Sequence, residues 1–462
     1  MGMYVKRALR RVAIGFILAM TAGAAAAQSS RGAAVSPPPS SLAHVQTVDE
    51  GLEQDAGEYA RNYAVPVDEA MRRLRAQEET VATTDRLQDL YGDRLAGLYI
   101  EHRPAYRIVV LLTGSDPVPD QSVFAGGMDV PIIFKTGAPA SRTRILGAIT
   151  QHQAEIRAAV PHPPSMGVDP RTGQLILMVD GYDIDRIGKD VLKARIEKIA
   201  GVPVHIRVQD RTDVNLKDVN LVGGGGRVEG MNPVDGKRYS CTSGFVVTNG
   251  TSDGVVTAAH CPDTLAYYGP DRSQLPLKFL GQWGWGYQDV QLHVSEQALQ
   301  PLFYADTKKT VARAVTGARN RTSTRVGDVV CHRGERTGYS CAEVELVDFA
   351  PSGDLCGGAC LATWVAVAGP TCKGGDSGAP VFNGGTAFGL VKGASYRGDG
   401  SCIFYFYMST DYLPAGWSLL EVPVKAPIQP RIEPAVAAAV ETTGERRAGR
   451  APRPTVTRGN GR

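Results

Sequence analysis

Gly374-Gly375-Asp376-Ser377-Gly378-Ala379-Pro380 places a serine in a turn with glycine on both sides. Alone it is an ordinary turn residue. Two upstream stretches change that reading. Thr257-Ala258-Ala259-His260-Cys261 ends the apolar run Gly254-Val255-Val256 with a histidine, and Asp289 opens a strand-like run in Gly286-Tyr287-Gln288-Asp289-Val290-Gln291-Leu292. A serine hydroxyl is a weak nucleophile, so attack needs a base, and an imidazole that titrates near neutrality suits that task. The imidazole needs a carboxylate on its other nitrogen to fix its tautomer and stabilise the cation that forms. Glycines around the serine let backbone N–H groups converge where an oxyanion develops. Each stretch is weak evidence by itself, and together they point to nucleophilic hydrolysis.

The surroundings agree with an all-β domain. From about residue 237 the chain reads as short strands separated by turn signals such as Asn249-Gly250 and Asp399-Gly400. One helical segment is expected near 410–420. All eight cysteines lie between Cys241 and Cys402, an even set that predicts a disulfide-stapled domain in an oxidising compartment.

The order His260, Asp289, Ser377, with the residues around each, resembles the chymotrypsin-fold serine proteases. The closer likeness is to their secreted bacterial branch of streptogrisins and α-lytic protease, over about residues 230–420. Cys331-His332-Arg333-Gly334-Glu335-Arg336-Thr337-Gly338-Tyr339-Ser340-Cys341 is similar to that branch's short disulfide hairpin, and Gly389 to Gly393 followed by Cys402 to its final strands and terminal helix. The resemblance implies a two-barrel fold, a serine endopeptidase acting on polypeptides, and no cofactor. It implies His260 as base, Asp289 as its orienting partner, Ser377 as nucleophile, and the N–H groups of Gly375 and Ser377 as the oxyanion hole. It pairs Cys241 with Cys261, Cys331 with Cys341 and Cys372 with Cys402. Cys356 and Cys360 then remain, and a local fourth disulfide is preferred over half of a zinc site, so no metal is expected.

Two departures stand out. Where the branch has an arginine after the first hairpin cysteine, this chain has His332 and then Arg333; either could hold Asp376, and the permanently charged Arg333 is favoured. Where relatives have serine before a glycine, this chain has Val391-Lys392-Gly393, and Lys373 follows Cys372. Lys373, Lys392 and Gly393 are accordingly placed at the specificity pocket. Lysines there either reach solvent or select an acidic residue before the scissile bond.

The 240 residues ahead of Cys241 contain no cysteine. Residues 1–27 carry four cations, an apolar stretch and a small-residue run, the layout of a signal peptide too short to span a membrane. Secretion to the periplasm or the medium is therefore expected. Residues 28–45 read as a flexible leader. Helical spacing over 67–90, 143–160 and 184–199, with strands at 107–112, 174–179 and 204–208, predicts a small α/β domain ordered over about 46–208. By the resemblance, residues 28–222 are a proregion that assists folding and inhibits the protease, and the protease is its partner. Gly223-Gly224-Gly225-Gly226 marks the boundary with the protease domain, 223–420. Residues 421–462 read as a disordered Pro/Ala/Arg-rich tail, of which 423–462 hold eight cations against three anions. The formal charge of +3 is thus concentrated at the two ends, so no nucleic-acid partner is expected. A monomer is anticipated. The alternative reading is a catalytically silent protease fold used for binding.

Overall fold

Six strands in the C-terminal half close on themselves. Val329–Gly334, Pro380–Asn383, Thr386–Tyr396, Cys402–Ser409, Trp364–Ala368 and Gly338–Ala350 follow one another around a barrel, and the last pairs back to the first. Cys402–Ser409 shows why these strands read as unbroken apolar runs. Tyr405 and Tyr407 face one core while Phe404, Phe406 and Met408 face another, so both sides of the strand are buried. The computed structural model describes residues 43–209, 214–215, 225–269, 274–296, 299–369 and 371–422. The expected signal peptide, most of the leader, Gly223 and Gly224, and the tail from residue 423 lie outside the described residues.

Ahead of the barrel lie a four-stranded and a five-stranded sheet. The first joins Arg238–Thr242, Arg227–Met231, Leu265–Tyr268 and Gln274–Pro276. The second joins Lys278–Trp283, Val290–Val294, Asp253–Thr257, Val246–Thr248 and Ser418–Leu419. Of the two expected barrels, one is therefore a closed six-stranded ring and the other is represented by this pair of sheets.

The expected helix near 410–420 is absent. A short 3-10 turn, Thr410–Tyr412, gives way to extended Leu413 before Pro414, and Gly416 sits at φ +81°. Proline disfavours helical backbone in the residue before it, so the chain instead returns as the strand Ser418–Leu419. Order continues past the predicted start of the tail, with the Val422 N–H donating to the Val315 carbonyl at 2.9 Å.

Residues 43–209 form the α/β part, and helix breaks there are local. The run over 67–90 splits into Val67–Glu79 and Val81–Tyr91 at Thr80. The run over 184–199 splits into Gly181–Ile187 and Lys189–Ala200 at Gly188, φ +87°. A further helix, Val48–Tyr63, starts at a capping box between Thr47 and Glu50 that the periodicity did not announce. The predicted leader also ends early, because His44–Gln46 pairs in parallel with Val311–Ala314. Among the described residues no helix is long and apolar enough to cross a membrane.

The α/β part shares a sheet with the barrel. Gly338–Ala350 runs on past the ring, and Phe349 and Ala350 pair with Gly167 and Met166 of Ser165–Asp169. Gln174–Asp180 and Val204–Gln209 continue the sheet outward. Buried polar contacts reinforce the junction. Asp55 is fully buried and accepts from Arg313 at 2.9 Å, from the Gly384 N–H at 2.7 Å and from the Tyr339 hydroxyl at 2.6 Å. Asp348 is bound by Arg142 through two bonds and by Arg321 at 2.6 Å. The His102 ring lies between the Tyr59 hydroxyl and the Gly327 carbonyl, and burial lowers its pKa, which suits a neutral ring bridging the two parts.

Asp55→Ala would strand Arg313 as a buried unpaired cation, which costs about 3–5 kcal/mol. Denaturant unfolding of the full chain should show that loss. A change below about 1 kcal/mol would mean that water or rearrangement replaces the pair.

Candidate active site

His260 is delivered by Asp253–Thr257 of the five-stranded sheet and held from its C-terminal side. Cys261 is bonded to Cys241, and the buried Gln291 side chain donates to the carbonyls of Ala258 at 2.8 Å and Cys261 at 3.1 Å. Asp289 lies immediately before Val290–Val294, 3% exposed, in a loop that turns at Gly286 with φ +52°. That loop is braced by residues 356–364. The Gly286 N–H donates to Cys356, and the Gly286 carbonyl accepts from the Leu361 N–H and the Trp364 indole. Cys356 and Cys360 are bonded to each other, so the disulfide stiffens the brace of Asp289. The remaining disulfides are Cys331–Cys341 and Cys372–Cys402.

Ser377 arrives from the barrel side. Its turn needs Gly378, which has φ +82° and where a Cβ would lie 2.2 Å from Thr257 Oγ1 and 2.4 Å from the Thr242 carbonyl. The close approach joins the serine turn to the His260 strand. The Thr242 N–H donates to Ser377 O at 2.8 Å, and the Gly378 N–H to Val391 O at 2.7 Å. These constraints place Ser377 Oγ 2.7 Å from His260 Nε2, while His260 Nδ1 lies 2.8 Å from Asp289 Oδ2. With Nδ1–H donating to the carboxylate, Nε2 is left to accept from the serine hydroxyl. Gly375 adopts φ +103°. Among the described residues no acceptor takes the N–H of Gly375 or of Ser377.

Asp376 is not held as expected. Its buried carboxylate accepts from the N–H groups of Arg336 at 2.9 Å, Thr337 at 3.1 Å and Lys373 at 2.9 Å, and from the Thr337 hydroxyl at 2.9 Å. Burial still raises its pKa against those bonds. Arg333 pairs instead with Glu335 at 3.1 Å and with the carbonyls of Asp306 and Thr307. The reason is steric. A Cβ on Gly334 would stand 2.1 Å from Asp376 Oδ1, so the glycine brings hairpin backbone, rather than a side chain, over the carboxylate. His332 lies beside the Tyr405 ring, and burial, aided by Arg333, pushes its pKa down to about 4.

The lysines part company. Lys373 is exposed. Lys392 is 1% exposed, and its Nζ lies 3.4 Å from Asp289 Oδ2 and 5.1 Å from the centroid of the Trp364 ring. Expected in the specificity pocket, it is directed instead at the Asp289 carboxylate. A bulge between Val391 and Gly393 turns it there. Burial alone would raise the Asp289 pKa, but His260 and Lys392 together hold it down at about 2. Sequence reading missed this pairing, because Lys392 and Asp289 lie far apart in the chain.

Beside His260 lies a cleft of about 190 Å³, walled by Asn232–Val234, Tyr239–Cys241 and Cys261–Asp263. Gly393 and Ala394 pair antiparallel with Asn215 and Val214. Val214–Asn215 thus adds a short strand to Thr386–Tyr396, at the residues that follow Lys392.

No protein-family model matches the chain. Similar solved structures include Thermobifida fusca protease A, 22% identical over 43% of this chain and 98% of that one, with a TM-score of 0.35. An α-lytic protease homolog is 22% identical over 41% and 93%, with a TM-score of 0.32. A glutamic acid-specific serine protease described as using a histidine triad in substrate binding is 22% identical over 43% and 99%, with a TM-score of 0.34. The chain is thus similar, over less than half its length, to nearly the whole of several bacterial serine proteases.

Proposed function

We propose that this chain is a serine endopeptidase made as a precursor, with Ser377, His260 and Asp289 as its catalytic groups. The observation that carries the reading is the continuous hydrogen-bonded path from Ser377 Oγ through His260 to a buried, ionised Asp289. Ser377 Oγ attacks the scissile carbonyl carbon as its proton passes to His260 Nε2, and the tetrahedral oxyanion is received by the N–H groups of Gly375 and Ser377. The imidazolium, stabilised by Asp289, then protonates the leaving amine as the C–N bond breaks, giving an acyl-serine. Water attacks the ester with His260 again as base, releasing the acid and restoring the hydroxyl. The disulfides and the N-terminal signal layout support secretion.

Residues 28–222 are read as the proregion. Two observations support it: the sheet shared through Phe349 and Ala350, and the strand Val214–Asn215 laid antiparallel on Gly393 and Ala394. A chain segment that adds a strand beside the triad occupies the edge a peptide substrate would use. Cleavage between Asn215 and Gly225, which is itself packed against Arg333, would release that edge. This arrangement favours polypeptide substrates, and with Lys373 exposed and Lys392 directed at Asp289 neither lysine supports an acidic preference before the scissile bond.

Ser377→Ala, His260→Ala and Asp289→Asn should each lower kcat for amide hydrolysis by roughly 10⁴-fold or more, because the three act as one unit. Steady-state kinetics on a peptide amide checks this, and near-normal turnover in any variant would remove that residue from the mechanism. Activity should rise from acid to neutral pH, since only neutral imidazole accepts the serine proton. A flat profile between about pH 5 and 8 would exclude a histidine base.

Residues 223–420 expressed alone should refold poorly, and adding the N-terminal segment in trans should restore activity, because a barrel of long-range strand pairings is slow to form. Efficient unaided refolding would make residues 28–222 an accessory domain.

A further inference from the structure

We infer that Lys392 is a positioning residue whose ammonium shares the Asp289 carboxylate with His260 and thereby sets the acid side of the enzyme's pH range. The inference rests on the serine-protease reading and adds a fourth group to its charge relationship. Asp289 Oδ2 receives His260 Nδ1 at 2.8 Å and faces Lys392 Nζ at 3.4 Å, so the imidazole and the ammonium act on one oxygen. The site is dry. Lys392 and Asp289 have side chains 1% and 2% exposed, so solvent screens their attraction little. The Lys392 ammonium is also set over the Trp364 face, and Trp364 donates to the Gly286 carbonyl of the Asp289 loop. One indole therefore contacts the lysine and braces the carboxylate's loop.

The chemical consequence has a definite sign. During attack His260 becomes an imidazolium whose charge is stabilised by Asp289. An ammonium on the same oxygen neutralises part of that carboxylate and repels the new cation, so protonating His260 becomes harder. The base then remains neutral, and the enzyme active, to lower pH than it would with an uncharged residue at 392. Asp289 stays ionised throughout that range. Lys392 acts on the reaction through Asp289, the carboxylate that orients the base.

The groups facing this centre come from several elements. His260 follows Asp253–Thr257, Asp289 precedes Val290–Val294, and Lys392 lies in Thr386–Tyr396. Met408 Sδ, from Cys402–Ser409, accepts the Asp289 N–H at 3.2 Å and is uncharged. Tyr405 and Tyr407 of the same strand are kept neutral by burial. Asp376, beyond Ser377, is occupied by the hairpin N–H groups, and Asp263 is exposed on the cleft wall.

The test uses Lys392→Met, which keeps length without charge, with Lys392→Gln as a second uncharged variant and Lys392→Arg as the charge-preserving one. In kcat/KM against pH, both uncharged variants should move the acid limb up by about one unit, roughly a tenfold loss on the acid side and little change above pH 8. Lys392→Arg should keep the limb near its original position. In parallel, the His260 ring nitrogens are titrated by NMR in the full chain carrying Ser377→Ala, with and without Lys392→Met. The same upward displacement is expected. An unmoved limb with a uniform rate loss, or an unmoved NMR titration, overturns the inference and leaves Lys392 as packing. If the NMR displacement is observed but the chain hydrolyses no peptide, the charge relationship stands and the protease reading fails instead.

Discussion

A carboxylate cannot be taken out of water without compensation, and the candidate site is arranged around that constraint at Asp289. The loop that carries it is braced by the Cys356–Cys360 segment, and the strand after it belongs to the sheet that delivers His260. An isolated buried carboxyl would take up a proton and lose its use. Here His260 and Lys392 hold it ionised, so the imidazole has a fixed orientation and a defined tautomer. Ser377 then needs only the tight turn at Gly378 to come within hydrogen-bonding reach.

The same logic governs the junction between the α/β part and the barrel. Gly338–Ala350 leaves the ring with an open edge, and an open strand edge invites pairing. Ser165–Asp169 fills it, and Gly167 permits the approach, because a Cβ there would lie 2.8 Å from the Asp348 carbonyl. The flanking Asp55–Arg313 pair is buried and Arg142 reaches the buried Asp348, so separating the two parts would expose complementary charges as well as apolar surface. In the proposed precursor these contacts hold the strand Val214–Asn215 against Gly393 and Ala394. Main-chain pairing of that kind depends little on side-chain identity.

The site motifs were legible because they are local. Thr257 to Cys261 and Gly374 to Pro380 each compress a turn, a functional side chain and a glycine or cysteine constraint into a few residues. In the α/β part three helical runs and three strands were legible from periodicity, whereas the helix Val48–Tyr63, the strands Leu95–Glu101, Gln121–Ala125, Met128–Ala138 and Ser165–Asp169, and the breaks at Thr80 and Gly188 were not. The features that escaped were set by distant packing. The exposed-looking Lys392 turns inward only because a bulge aims it at a carboxylate on another strand. Arg333 was the wrong partner for Asp376 because the missing Cβ of Gly334 gives hairpin backbone the closer approach. The terminal helix failed for a local reason that was available, since Pro414 and Gly416 interrupt it.

The most direct measurement is mass-spectrometric mapping of a fluorophosphonate adduct on the processed protein, alone and with His260→Ala. A single adduct on Ser377 is expected, formed rapidly in the unaltered protein and nearly lost in the variant, since only a serine activated by its histidine reacts at this rate. Slow labelling spread over several serines, or equal labelling in both proteins, would contradict it.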